Sequence, residues 1–182
     1  MEYITLEAPR LILRAITPEV YKNAYANWSD EEIKKFFGYA NDEVLNEELE
    51  KYEKGLSTWN RSFVNFQLLE KPSGKIIGWC GFHTWATNHF RAEMGYAIAD
   101  NEYKNKGLMK EAIKPIVEYG FNEMKLHRIE ALVAADNVPS IKLITGMGFT
   151  KESVLRQHYY VNGVNEDSVM YVLLKHEYKK SA

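Results

Sequence analysis

Between Ala97 and Met109 the chain reads A-I-A-D-N-E-Y-K-N-K-G-L-M: an apolar strand ends, and a basic turn containing glycine opens a long helix. The first backbone N–H groups of a helix have no intrahelical partner and sit at the positive end of its dipole, and here Lys104 and Lys106 flank them. That combination suits a phosphate-bearing ligand, so the turn reads as an anion seat. Taken alone it also describes an ordinary surface helix start. A second group of interest is Asp136-Asn137-Val138-Pro139-Ser140, where Asn137 has the side chain of a good helix N-cap.

Other chemistries find little support. The single cysteine, Cys80, lies inside the apolar run I-I-G-W-C-G-F and reads as a small buried hydrophobe, and one cysteine allows no disulfide within the chain. His83 and His89 are six positions apart across a turn, and His127, His158 and His176 stand separately, so no i, i+4 pair or Cys/His cluster marks a metal site. A net charge of -2 gives no general attraction to nucleic acid, so contact with RNA or a ribosome would be local or through protein. The opening M-E-Y-I-T-L-E-A-P-R has no charged-then-apolar leader, and no apolar run approaches the ~20 residues that span a bilayer. A cytoplasmic protein without membrane contact is expected. At 182 residues, 46% apolar and 26% charged, a single domain over 1–182 is expected, with a short polar tail from about 176.

The elements that must position these groups follow from local signals. Arg10 to Ala15 reads as a strand, and Thr17-Pro18-Glu19 as an N-cap with proline at the first helical position, opening a helix to about Trp28. From Asn41 to Trp59, Leu45, Leu49, Tyr52, Leu56 and Trp59 fall on one helical stripe. Ser62 to Leu69, a Lys71-Pro72-Ser73-Gly74 turn, Lys75 to Thr84 and Phe90 to Ala99 form a three-strand meander. The helix after the anion seat runs to about Met124, with a kink or bulge expected at Pro115, which removes a hydrogen bond at a cost of ~3 kcal/mol. A strand from Arg128 to Val133, a short helix from Asn137 to Gly146-Met147-Gly148, and a hairpin from Phe149 turning at Asn162-Gly163 complete the order.

The spacing K-x-x-G-x-M at Lys104 to Met109 resembles the acetyl-CoA pyrophosphate loop of the GNAT superfamily of N-acetyltransferases, usually Q/R-x-x-G-x-G/A; Met109 departs from the small residue preferred there. In the order found, T-L-E-A-P-R-L-I-L-R, A-E-M-G-Y-A-I-A, K-N-K-G-L-M-K-E-A, L-H-R-I-E-A, N-V-P-S-I-K-L-I-T-G-M-G-F and N-G-V-N-E-D-S-V-M-Y are similar to motifs of the RimJ/RimL branch. The resemblance implies an α/β (α+β) fold: a twisted mixed sheet of about seven strands, four or so helices, and a splay between strands 4 and 5. It implies that the backbone of Ala97, Ile98 and Ala99 holds the pantetheine arm as an added strand, and that amides of Lys104, Asn105, Lys106, Gly107, Leu108 and Met109 hold the pyrophosphate. Gly95 is the expected site of the bulge that opens the strand pair. Asn137 is then either a helix cap, a contact to the cofactor, or both.

The implied activity is transfer of an acetyl group from acetyl-CoA, without a metal, to an amine in a ternary complex. The acceptor implied is the N-terminal α-amino group of a ribosomal protein; a small-molecule amine such as an amino acid, polyamine or antibiotic, and a non-catalytic acyl-CoA sensor, are the alternatives. The reaction needs a base, because an α-amino group (pKa ~8) or lysine (~10.4) is largely protonated at neutral pH, and it needs stabilisation of the departing thiolate. Glu93, on the strand lining the cleft, is the candidate base, or else a solvated strand glutamate. Many relatives place a tyrosine seven residues after the asparagine, where this chain has Ile144; the RimJ/RimL branch instead offers a serine three residues after it, and that resemblance implies Ser140 as the candidate donor to sulfur, or else a first-turn residue that helps capping. The acidic run from Asp42 to Glu53 is a solvated face, or else a guide for a cationic acceptor. Dimers or larger rings are frequent in the branch, so a homo-oligomer is expected.

Overall fold

The computed structural model describes residues 3–55 and 63–179. Its strands are β1 (Thr5–Glu7), β2 (Leu11–Ile16), β3 (Val64–Glu70), β4 (Ile76–Ala86), β5 (Arg91–Ile98), β6 (Arg128–Ala134), β7 (Thr150–Val161) and β8 (Val164–Leu174), in one sheet of order β1-β2-β3-β4-β5-β6-β8-β7. The helices are α1 (Pro18–Asn27), α2 (Asp30–Phe37), α3 (Asp42–Glu53), α4 (Leu108–Asn122) and α5 (Val138–Gly146). All strand pairs are antiparallel except β5 with β6, which the α4 crossover joins in parallel. The sheet thus has eight strands rather than about seven, because the short β1 pairs onto β2, and the splay falls between β5 and β6.

Local chemistry explains most boundaries. Asn41 caps α3 by accepting from the Val44 amide at 2.9 Å. The helix ends after Glu53, with Gly55 in the left-handed region (φ 85°), so it does not run on toward Trp59; Leu56 and Trp59 lie outside the described residues. A helix the sequence analysis left unassigned, α2, opens with a reciprocal box: Ser29 Oγ accepts from the Glu32 amide and the Glu32 carboxylate accepts from the Ser29 amide. The spacing S-x-x-E was its available signal. At the final hairpin, Asn162 (φ 50°) and Gly163 (φ 86°) adopt the positive φ pair that a two-residue turn demands.

The main core lies between the sheet and α4, whose Ala112, Ile113, Ile116 and Val117 are fully buried. α4 continues through Pro115 with no bulge, since burial of these neighbours outweighs one lost hydrogen bond. Gly120 lets α4 sit directly on β4: a Cβ there would lie 2.6 Å from the Phe82 ring. A second cluster joins Ile16, Val20, Ala24, Ile33, Phe37 and Leu45 under α1 to α3. Among the described residues no helix is long and apolar enough to cross a membrane.

Candidate active site

β5 and β6 pair over three rungs, Arg91 with Arg128, Ala92 with Ile129 and Glu93 with Glu130, and then part. Each strand stays bonded to its outer neighbour: β5 follows β4 up to Ile98, and β6 follows β8 up to Ala134. The parting therefore exposes two facing strand edges within the sheet, each with main-chain groups that an extended ligand can engage. A cavity of about 850 Å³ fills the gap.

The bulge expected at Gly95 is not there, for Gly95 pairs in register with Gly81. The register slips instead two to four residues earlier along β5, between His83 and Ala86 of β4 opposite Glu93 and Arg91, with Thr84 at φ 50°. Glycine at 95 serves close packing instead: a Cβ would lie 3.0 Å from both His83 Nε2 and the Trp79 ring.

At one end of the cavity stands the loop that precedes α4. Asn105 (φ 59°) and Gly107 (φ 77°) adopt left-handed conformations, and the first helical hydrogen bond runs from the Glu111 amide to the Gly107 carbonyl at 3.2 Å. The amides of Leu108, Met109 and Lys110 are left to the helix N-terminus, and no side chain at Gly107 caps them. Their free donors and the dipole fit a diphosphate. Met109, the departure from the family pattern, is 9% exposed and packs into the main core.

Arg10, which sequence reasoning passed over, ties this loop down. Its Nη2 donates to the Lys106 carbonyl at 2.7 Å and its Nε to Glu111 Oε1 at 2.8 Å. Of the residues expected to hold cofactor, Ala97, Ile98, Lys104, Asn105, Gly107, Leu108, Met109 and Asn137 line the cavity. Ala99 and Lys106 do not; the Ala99 amide turns to the Ile77 carbonyl at 3.0 Å.

Glu93 and Ser140 also line the cavity. Burial, and then the nearby Glu130 charge, push the Glu93 carboxyl up to about 7. His83 Nε2 lies 3.8 Å from Glu93 Oε1, too far for a hydrogen bond, and burial holds His83 below the ordinary histidine value. Both groups are therefore biased toward their neutral forms, so the contact is not an ion pair at neutral pH. Trp79 and Tyr159, 41% and 46% exposed, add two large aromatic surfaces to the lining near Glu93. Burial, with the Glu93 charge adding to it, raises the Tyr159 phenol.

Asn137 acts as the cap: its Oδ1 accepts from the Ser140 amide at 3.1 Å. The Ser140 hydroxyl meets the phenol of Tyr96, a residue absent from the sequence-derived set, at 2.5 Å. Ile144 is fully buried. So is Cys80, whose thiol burial drives well up, which removes it from the chemistry. No residue of α3 lines the cavity, and three of its carboxylates pair with lysines: Asp42 with Lys34, Glu48 with Lys51 and Glu50 with Lys54.

The acetyltransferase (GNAT) domain model matches residues 10–150. The chain belongs to the GNAT acetyltransferase family. It is 35% identical over 171 residues to YoaA, an uncharacterised N-acetyltransferase of Bacillus subtilis, covering 93% of this chain and 96% of that one. It is 32% identical over 124 residues to YdaF of the same organism, named as a candidate ribosomal N-acetyltransferase, covering 66% and 67%. Among solved structures, the spermidine/spermine N-acetyltransferase SpeG of Vibrio cholerae superposes with a TM-score of 0.64 at 25% identity, covering 73% of this chain and 75% of that one. As a GNAT acetyltransferase the chain is an acetyl-CoA-dependent acyltransferase that acts on an amine.

Proposed function

We propose that the protein acetylates the N-terminal α-amino group of a protein, of the ribosomal class that YdaF is named for, by direct attack on acetyl-CoA. The amides from Lys104 to Met109 take the diphosphate, the inner edge of β5 at Ala97 and Ile98 takes the pantetheine arm, Glu93 accepts the amine proton, and Ser140 donates a hydrogen bond to the sulfur. Acetyl-CoA supplies the activated acyl group.

The observation that carries this reading is the charge of the acceptor end. Glu93 is the sole carboxylate among the described residues lining the cavity. A polyamine needs a second anion for its distal ammonium, whereas a peptide N-terminus presents one charge beside an uncharged chain that can lie on Trp79 and Tyr159. An α-amino group also gives its proton to Glu93 more readily than lysine does, its ordinary pKa being ~8 against ~10.4.

Thiol release from acetyl-CoA, measured with peptides whose first residues are uncharged and whose N-termini are free or acetyl-blocked, with spermidine and with free amino acids, tests this. Free N-termini should turn over and blocked ones should not. Preference for spermidine would transfer the assignment to the polyamine class named for SpeG, and background rates with every amine while acetyl-CoA still binds would make the protein a sensor.

A further inference from the structure

Tyr96 projects from β5 and Ser140 from the first turn of α5, on opposite walls of the cavity, and their oxygens meet at 2.5 Å. Either oxygen could donate in this pair, and a phenol, far more acidic than an aliphatic alcohol, is the stronger donor, which favours Tyr96 donating to the Ser140 oxygen. Serine has a single proton. Accepting from the phenol leaves that proton free to point into the cavity, whereas donating to Tyr96 would use it up. The Ser140 main chain is held independently by Asn137, which accepts its amide at 3.1 Å. Both ends of the serine are thus tied by groups from different elements.

Resting on the acetyl-transfer reading above, we infer that Tyr96 is a positioning residue: it turns the Ser140 hydroxyl into an oriented hydrogen-bond donor for the departing sulfur. α5 cannot supply a phenol one turn on, where the fully buried Ile144 stands, and β5 supplies one from across the splay. Burial raises the Tyr96 phenol further above its ordinary value, so it stays protonated at neutral pH and acts by hydrogen bonding rather than by giving up its proton. The step balances without it: as the amine nitrogen bonds the acyl carbon its proton passes to Glu93, and the pair of the broken C–S bond leaves on sulfur, held by Ser140 until solvent protonates it.

Tyr96→Phe keeps the ring and removes the hydroxyl alone. Its kcat should fall about tenfold with KM for acetyl-CoA within about twofold, Ser140→Ala should do the same, and the double variant should be no slower than Ser140→Ala. A second readout needs no turnover: calorimetric affinity of CoA relative to desulfo-CoA, which lacks the sulfur. In the wild type that ratio should climb as rising pH ionises the CoA thiol, and in both single variants it should flatten. Losses that multiply in the double variant, a Tyr96→Phe enzyme with wild-type kcat and an unflattened ratio, or failure of that variant to bind desulfo-CoA would each overturn the inference, the last by making Tyr96 a packing residue. Should the wild type release no thiol with any amine, the functional reading falls, while the affinity ratio still decides whether Tyr96 and Ser140 hold sulfur.

Discussion

Glu93 and Glu130 face each other on the last rung joining β5 to β6, and their charges are handled differently. Glu130 accepts from Arg91 at 3.1 Å and from Arg128 at 2.6 Å. Glu93 lines the cavity, with His83 Nε2 3.8 Å from its carboxylate. One carboxylate is neutralised as part of the scaffold; the other keeps its proton up to neutral pH.

The pH dependence follows. A base works deprotonated, so kcat should rise through about pH 7 and level off above it. Glu93→Gln should remove that limb and slow turnover by about a hundredfold or more with cofactor binding kept. Glu130→Gln removes the like charge and should move the limb to lower pH. Rate profiles of the three proteins check this, and an unmoved limb in Glu93→Gln would take Glu93 out of the mechanism.

Stability carries the same signature. The folded-state value of Glu93, about 7, lies above its ordinary 4.5, so the folded state binds this proton more tightly. The stability gained is full below about 4.5 and lost as pH rises through about 7. Glu93→Gln should therefore melt higher than wild type at pH 8 and show a much smaller difference at pH 4, by thermal unfolding at both.

The loop before α4, proposed to take the diphosphate, depends on Arg10 and Gly107. Arg10→Ala removes the bond to the Lys106 carbonyl and should raise KM for acetyl-CoA by up to about tenfold with kcat nearly unchanged. Gly107→Ala forces a side chain into φ 77° at about 1–2 kcal/mol and should weaken CoA binding as the loop relaxes. Calorimetry with CoA reads both, and equal affinities in wild type and variants would detach this loop from the diphosphate.

Gly95 lies on β5 between Glu93 and the Ala97–Ile98 backbone, in the cavity wall. In Gly95→Ala the new methyl meets His83 and Trp79 at 3.0 Å, so those rings, both in the cavity wall, must give way. KM for the acceptor should rise while KM for acetyl-CoA holds, as initial rates with each substrate varied will show.

Gly120→Ala tests the α4 packing away from the site. Its methyl would meet Phe82 at 2.6 Å, and the strain should cost about 1–3 kcal/mol in denaturant unfolding.

The sequence by itself determined most of the elements and the turn that opens α4, because their signals act over a few residues: Asn41 and Asn137 cap, Pro18 opens α1, Gly107 admits the left-handed turn, and Asn162-Gly163 reverses the hairpin. Ser29 and Glu32 show that even the missed α2 was written locally. What only the tertiary structure decided lies between residues far apart in the chain. The splay begins where the Glu93–Glu130 rung ends, the bulge sits on β4 rather than at Gly95, Arg10 reaches Lys106 across 96 positions, and Tyr96 meets Ser140 across 44. Those contacts follow from strand order and register, which local propensity does not encode, and the raised pKa of Glu93 follows from burial, which exists only once the sheet and its helices have closed around it.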